Sequence, residues 1–156
     1  MPFLPSTHPD QPIGRMFNFD LLVGRYEVSE HRAFYAAAAQ WLRRETAETN
    51  AFIARGFNLE GNQRLAEVYA KQALALKFAR GTLTPVEAVE LEKWWKNTLA
   101  IRSDAVDAYR EEQLNAEGRA RAYARTQRKF ARRDVLLYEG LLRRLTAAPA
   151  CFPKHG

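Results

Sequence analysis

The three histidines are the first residues of this sequence that could support metal or acid–base chemistry. His8, His31 and His155 lie far apart, and none has a second potential ligand three or four residues further on. A zinc site needs three or four converging ligands. The spacing therefore predicts no metal site.

The one cysteine, Cys151, has two basic neighbours, Lys154 and His155. Basic neighbours favour the reactive thiolate form of a cysteine, but this segment contains prolines and offers no structured pocket. A catalytic nucleophile also needs a general base and an orienting group held beside it. We interpret Cys151 as an inert or accessory thiol.

Glu87, Glu90 and Glu92 lie together near the start of a predicted helix. Paired carboxylates can act as general acid and base, but the helix dipole also favours acidic residues at a helix N-terminus. The helix dipole is sufficient to explain why these glutamates lie there. We therefore expect no catalytic residue, no cofactor and no small-molecule substrate, and we predict that the chain is not an enzyme.

The 156 residues are 47% hydrophobic and 27% charged, a composition typical of a folded globular protein. A chain of this length fits one domain, predicted to span residues 19–146. The single cysteine and the lack of a basic, apolar leader favour an intracellular protein, cytoplasmic or in an organellar matrix, without a signal peptide. The longest apolar run, residues 33–39, is far shorter than the roughly 18 residues of a membrane span, so no transmembrane helix is predicted.

The first 18 residues are predicted to form an extended arm. Four prolines lie within the first twelve positions, and proline disfavours the helical conformation in the residue before it. Phe3, Leu4 and Phe17 could then lie on the surface of the protein or of a partner. Residues 19–28 are interpreted as irregular, because their partial alternation would make only an isolated strand. Residues 147–156 are interpreted as a loose tail.

The rest of the sequence predicts an all-α fold. Four helices are expected, at residues 30–55, 62–80, 85–114 and 119–146. Ser29 and Asn62 are suited to cap the first two helices. Thr84, Pro85 and Glu87 have the spacing of a capping box with proline at the first helical position, which predicts the start of the third.

The sequence between the last two predicted helices leaves their arrangement open. Residues 115–118 read Asn-Ala-Glu-Gly, which favours a turn. A single glycine costs only about 1 kcal/mol inside a helix, however. Residues 85–146 are therefore compatible with a helical hairpin or with one long helix.

Trp94 and Trp95 are neighbours, so on a helix their side chains point about 100° apart. Both can be buried only if the helix is covered on two sides. This pair therefore indicates a surface for a partner.

The excess of positive charge is concentrated in the last predicted helix. Residues 119–144 contain nine basic and two acidic residues, a net charge of +7, and the other residues, 15 basic and 16 acidic, carry −1. At about 100° per residue, four arginines fall within about 60° of one another, with Lys129 on their flank. The four are Arg121, Arg125, Arg128 and Arg132. The opposite face is apolar and predicted to be buried; it carries Tyr123, Phe130, Leu137, Leu141 and Leu145.

Such a basic stripe can bind a phosphate backbone, an anionic lipid surface or an acidic protein surface through the same electrostatics. It can also be solvated or paired within the chain, because five acidic residues precede the turn and a hairpin would bring them beside the arginines. These are Asp104, Asp107, Glu111, Glu112 and Glu117. The sequence shows no aromatic side chains placed to stack on nucleic-acid bases, since Tyr123 and Phe130 are expected to pack inward.

We therefore expect a non-enzymatic structural or interaction subunit of a larger intracellular multiprotein assembly. Examples are a mitochondrial or other organellar respiratory or ATP-synthase complex, a ribosome or a virion. Its expected partners are other protein subunits, docked through the arm, the tryptophans and the basic helix. The alternative is a basic helical nucleic-acid-binding protein, and an anionic membrane surface ranks below both.

Overall fold

The computed structural model describes residues 18–147, and this part of the chain contains five α-helices and no strand. The helices are α1 (Phe19–Arg25), α2 (Arg32–Ala54), α3 (Leu59–Arg80), α4 (Pro85–Asn115) and α5 (Gly118–Ala147). The predicted all-α class is confirmed, with one helix more than expected. Apart from Asn18 and Ala147, the predicted arm and tail lie outside the described residues.

The described chain divides into two compact units. The first, residues 18–88, contains α1, α2, α3 and the first turn of α4. The second, residues 89–147, contains the rest of α4 and all of α5. The single helical domain expected for residues 19–146 stays a prediction.

Helix α1 corrects the interpretation of residues 19–28 as irregular. The side-chain oxygen of Asn18 accepts a hydrogen bond of 3.0 Å from the Leu21 N–H, which caps the helix. Asp20 in the first turn and Arg25 in the last suit the helix dipole. The helix is only seven residues long, too short for a helical period to be visible in the sequence.

Tyr35 of α2 holds α1 in place. This residue is 1% exposed, and its hydroxyl lies 2.5 Å from the Tyr26 carbonyl oxygen and 3.2 Å from that of Leu22. A buried hydroxyl needs a hydrogen-bond partner, and here the last turn of α1 and the residue after it supply acceptors.

Trp41 of α2 is at the centre of the aromatic core of the first unit. Its ring lies 6.1 Å from that of Phe19 in α1 and 5.8 Å, edge-on, from that of Tyr69 in α3. Helix α3 packs against both α1 and α2. The three helices thus share one core.

The starts of α2 and α3 differ from the prediction. Ser29 lies in a turn and does not cap α2, whose N-cap is His31 without a side-chain hydrogen bond. Helix α3 begins three residues early, with Asn58 at its N-cap in the left-handed region (φ 40°). Asn62 is buried inside α3, where its Nδ2 donates to the Phe57 carbonyl oxygen at 2.8 Å.

The capping box at the start of α4 is confirmed. The Thr84 hydroxyl accepts from the Glu87 N–H at 3.2 Å, and a Glu87 carboxylate oxygen accepts from the Thr84 N–H at 3.0 Å. The other carboxylate oxygen lies 2.5 Å from Nζ of Lys77 in α3. The Lys77 ammonium, and then the Thr84 N–H, hold the pKa of Glu87 below its ordinary value.

The second unit is a helical hairpin, which decides between the two arrangements left open. Helix α4 ends at Asn115 and α5 begins at Gly118, whose φ of +59° lies in the left-handed region that favours glycine. Arg102 Nε of α4 lies 2.9 Å from Asp134 Oδ2 of α5. A single long helix could not bring these two residues together, since 32 residues of helix span about 48 Å.

The buried face of α5 repeats every seven residues. Ala124, Ala131, Tyr138 and Leu145 are all buried. A seven-residue apolar repeat is typical of a helix that packs along a neighbouring helix. The repeat changes from alanine near the connection to large side chains further along α5.

Candidate protein-interaction surface

The basic residues predicted to form a stripe are brought together on α5. We call Arg121, Arg125, Arg128, Lys129 and Arg132 the cationic row. Arg128 is half-buried and the other four side chains are exposed. Five positive charges therefore lie on about three turns of one helix face.

Helix α4 carries an acidic row made of Asp104, Asp107 and Glu111, all exposed. Their positions on the helix fall within about 60° of one another. The contact between Arg102 and Asp134 sets the register of the hairpin, and in that register the acidic row lies level with the cationic row.

The two rows nevertheless do not pair. Among the residues described, no carboxylate forms an ion pair with any member of the cationic row. Of the alternatives left open for this row, pairing with the acidic residues within the described chain is therefore not found. On each helix the row lies at least about 120° around from the residue that faces the other helix, Arg102 on α4 and Asp134 on α5, so both rows point to solvent.

A groove runs along one side of the hairpin between α4 and α5, and of the two rows only Asp107 and Arg132 line it. One part has a volume of about 350 Å³ and is lined by Ser103, Val106, Asp107, Arg132, Val135 and Leu136. Another part, of about 600 Å³, is lined by Leu99, Glu139, Leu142, Arg143, Thr146 and Ala147. Val135 and Leu142 are seven residues apart and share a helix face, so the two parts continue one another. We call this the interhelical groove.

Comparison with protein-family models, with curated proteins and with solved structures gave no match. Of the helices described, none combines the length and the apolar character needed to cross a membrane. Within residues 18–147, no three His, Cys, Asp or Glu side chains are grouped so that they could hold a metal ion.

The aromatic residues predicted to bind a partner are placed differently from one another. Trp95 is fully buried within the chain, so its ring offers no surface to a partner, whereas Trp94 is partly exposed. Phe3, Leu4 and Phe17 lie outside the described residues. Of the predicted aromatic contacts within the described chain, only Trp94 has a face open to a second molecule.

Two exposed side chains on α5 were not found by the sequence analysis. Tyr123, expected on the buried face, is 57% exposed, and Leu136 is 68% exposed among the cations. Tyr123 lies near the connection, where the buried face of α5 narrows to the small residue Ala124. Leu136 follows Arg132 by four residues, so it extends the face of the cationic row with an apolar side chain.

The two charged side chains that join α4 to α5 are more buried than most of the side chains in the two rows. The Arg102 and Asp134 side chains are 29% and 35% exposed. Burial raises the pKa of Asp134, and the attraction of Arg102 only partly offsets that effect.

Arg133 lies over the Phe130 ring, 5.3 Å from its centroid, a favourable cation–π contact. Arg128 Nε is shielded from water and has no hydrogen-bond partner within the described chain.

Proposed function

We propose that this chain is a non-enzymatic structural or interaction subunit of a larger intracellular multiprotein assembly, and that the cationic row docks on an acidic protein surface. One observation carries the proposal: five clustered cations have no carboxylate partner among the described residues, although three carboxylates lie level with them on the neighbouring helix. Complementary charge on a partner steers association and fixes its register.

The surroundings of the cationic row favour a protein over a polyanion. The interhelical groove beside it contains apolar side chains and both signs of charge, with Asp107 and Arg132 in one part and Glu139 and Arg143 in the other. Asp107 and Glu139 in the groove would repel a phosphate backbone or an anionic lipid surface. A protein surface can match apolar, acidic and basic positions together.

Nucleic acid is the second candidate, and exposed Tyr123 is the observation that favours it. An exposed aromatic ring beside arginines can stack on an unpaired base. Arg119 precedes Tyr123 by four residues on the same helix, so the two side chains are neighbours.

A charge-reversal experiment tests the proposal. In the row variant, Arg121, Arg125 and Arg132 are replaced by glutamate. In the control variant, Arg43, Arg44 and Lys93, which are also exposed, are replaced by glutamate, so both variants have the same net charge. Each chain is used to purify its partners from the native source, and the partners are identified by mass spectrometry.

We expect wild type and the control variant to recover the same protein partners and the row variant to lose them. Recovery of the same partners by the row variant, or of a lone monomer by every chain, would overturn the proposal. Salt titration with duplex DNA and with RNA tests the second candidate: binding at about 50 mM salt that weakens steeply with ionic strength and disappears in the row variant would replace the protein partner with a nucleic acid.

A further inference from the structure

The apolar stripe of α5 is wider than a contact with one neighbouring helix requires. Val135 and Leu142 each follow a buried member of the seven-residue repeat by four residues, but both are only half-buried. Both line the interhelical groove. A two-helix contact needs only a narrow apolar stripe, whereas a helix packed against two neighbours has a broader one. The extra width is therefore available to a further helix.

Helix α4 forms the other wall of the groove in the same pattern. Leu99 and Val106 are seven residues apart, half-buried, and line the groove. Apolar side chains at seven-residue spacing on two adjacent helices leave holes that the side chains of a third helix fill in a helix bundle. A β-strand repeats every two residues and does not match this spacing. The groove therefore fits a helix.

The α5 edge of the groove carries a series of charges at the same spacing. Arg132 and Glu139 line the groove and are seven residues apart. Arg125 precedes Arg132 by seven residues, so it lies on the same face of α5, nearer the connection. All three side chains are exposed, and no ion pair to any of them is found among the described residues. The order of charges along this edge is positive, positive, negative.

This series also identifies the source of a complementary helix. Its complement is two acidic residues seven apart, with a basic residue at the same spacing before or after them. That pattern occurs nowhere in the 156 residues of this chain. Neither the chain itself nor a second copy of it supplies the complement, so the helix belongs to a different protein.

We propose that an amphipathic helix of a partner protein docks in the interhelical groove as a third helix beside α4 and α5. Its apolar stripe packs on the leucines and valines of the groove. Two of its carboxylates lie beside Arg125 and Arg132, and a basic residue lies beside Glu139. The inference rests on the proposed function, since it identifies the acidic protein surface that meets the cationic row as one edge of this helix.

Synthetic peptides test the proposal on the full chain. Each has about three heptads, enough for the roughly 30 Å of helix from Arg125 to Thr146. Leucine occupies the two apolar positions of each heptad, one flank carries one charge per heptad, and the flank toward Asp107 carries glutamine. The two matching peptides have the charge order Glu, Glu, Lys and Lys, Glu, Glu, so that both directions along α5 are sampled. The two mirror peptides have the opposite charges, Lys, Lys, Glu and Glu, Lys, Lys.

Fluorescence anisotropy of each labelled peptide measures its binding at about 50 mM salt, where surface charges are weakly screened. We expect one matching peptide to bind wild type and to bind about tenfold more weakly at about 1 M salt. We expect neither mirror peptide to bind. Light scattering of wild type in the same buffer measures its oligomeric state.

A charge-swapped variant makes the test specific to this edge. The edge variant carries Arg125→Glu, Arg132→Glu and Glu139→Arg. It is expected to bind a mirror peptide and to lose the matching ones, which also shows that it is folded. The control variant makes the same kinds of change on α2, at exposed residues, and is expected to bind as wild type does. Its substitutions are Arg43→Glu, Arg44→Glu and Glu48→Arg.

The outcomes separate this inference from the proposed function. Failure of both matching peptides to bind wild type, equal binding of the mirror peptides, or an unchanged preference in the edge variant would overturn the docked helix. A wild-type dimer that no peptide displaces would assign the groove to a second copy and overturn it as well. If the peptides fail but the row variant still loses its protein partners, the proposed function stands. If a matching peptide binds as expected but no protein is recovered from the native source, the larger assembly is overturned and the helix site stands.

Discussion

The contact between Arg102 and Asp134 makes an asymmetric prediction about stability. Both side chains are about two-thirds buried, and the pKa of Asp134 is raised chiefly by burial, with Arg102 opposing the shift. Removing the arginine therefore leaves a desolvated carboxylate without its main compensation. Removing the negative charge relieves a desolvation cost. We expect Arg102→Met to destabilise the chain more than Asp134→Asn at neutral pH.

The magnitude follows from the exposure of the two side chains. Exposed ion pairs contribute about 0.2–1 kcal/mol, and breaking a buried pair costs about 3–5 kcal/mol. With side chains 29% and 35% exposed, Arg102→Met should cost about 1–2 kcal/mol. For a chain of this length that lowers Tm by about 3–6 °C. The double variant with Arg102→Met and Asp134→Asn should recover most of the loss, because no charge is then left in the interface.

The sign of the pH dependence follows from the raised pKa of Asp134. The folded chain holds this proton more tightly than the unfolded chain, so protonation stabilises the fold. This contribution is present in full below the ordinary aspartate pKa and is lost as pH rises through the raised pKa of the folded state. Asp134→Asn should therefore gain stability relative to wild type as pH rises from acid to neutral.

Urea unfolding followed by circular dichroism at several pH values measures these differences, with the four chains of a double-mutant cycle compared at each pH. A larger loss for Asp134→Asn than for Arg102→Met at neutral pH would refute the assignment of burial as the dominant cause. A coupling energy near zero would show that the contact does not hold the register of the hairpin.

Three further predictions concern the first unit. Tyr35→Phe removes the hydroxyl that lies between the Leu22 and Tyr26 carbonyl oxygens and should cost about 1–2 kcal/mol in urea unfolding; an unchanged midpoint would contradict that role. Thr84→Ala removes one half of the capping box and should cost about 1 kcal/mol. Because the pKa of Glu87 is lowered, its stabilisation is present above the ordinary glutamate range and is lost as pH falls through the lowered pKa, so Glu87→Gln should flatten the acid limb of the stability profile.

Local chemistry made parts of this fold predictable from the sequence. The start of α4 needs only Thr84, Pro85 and Glu87, since its hydrogen bonds join residues three apart. The same reasoning failed at Asn62, which has a capping residue's chemistry but is buried within α3 and bonds back to the Phe57 carbonyl. A side chain that can satisfy either role is assigned by the packing around it, which the sequence does not display.

The hairpin could not be predicted because its determinants are distant in sequence. Gly118 permits a left-handed backbone, but glycine also occurs within helices. The contact that distinguishes a hairpin from a rod joins Arg102 to Asp134, two residues with no signal of their own. Tyr123 was misplaced for a related reason: helical periodicity put it on the apolar face, but exposure depends on how far the neighbouring helix covers that face.

The cationic row could be located from the sequence because it depends on the period of one helix. The absence of ion pairs between the two rows could not be predicted, because such pairing depends on how each of the two helices is rotated about its own axis. Arg102 and Asp134 face each other, and this contact turns the two rows outward, toward opposite edges of the hairpin. The orientation changes what the acidic row implies: its three carboxylates do not neutralise the cationic row, which stays open to an acidic surface on a partner. The proposed partner therefore rests on how charge is distributed around two helices, a feature that the net charge of +6 for the whole chain conceals.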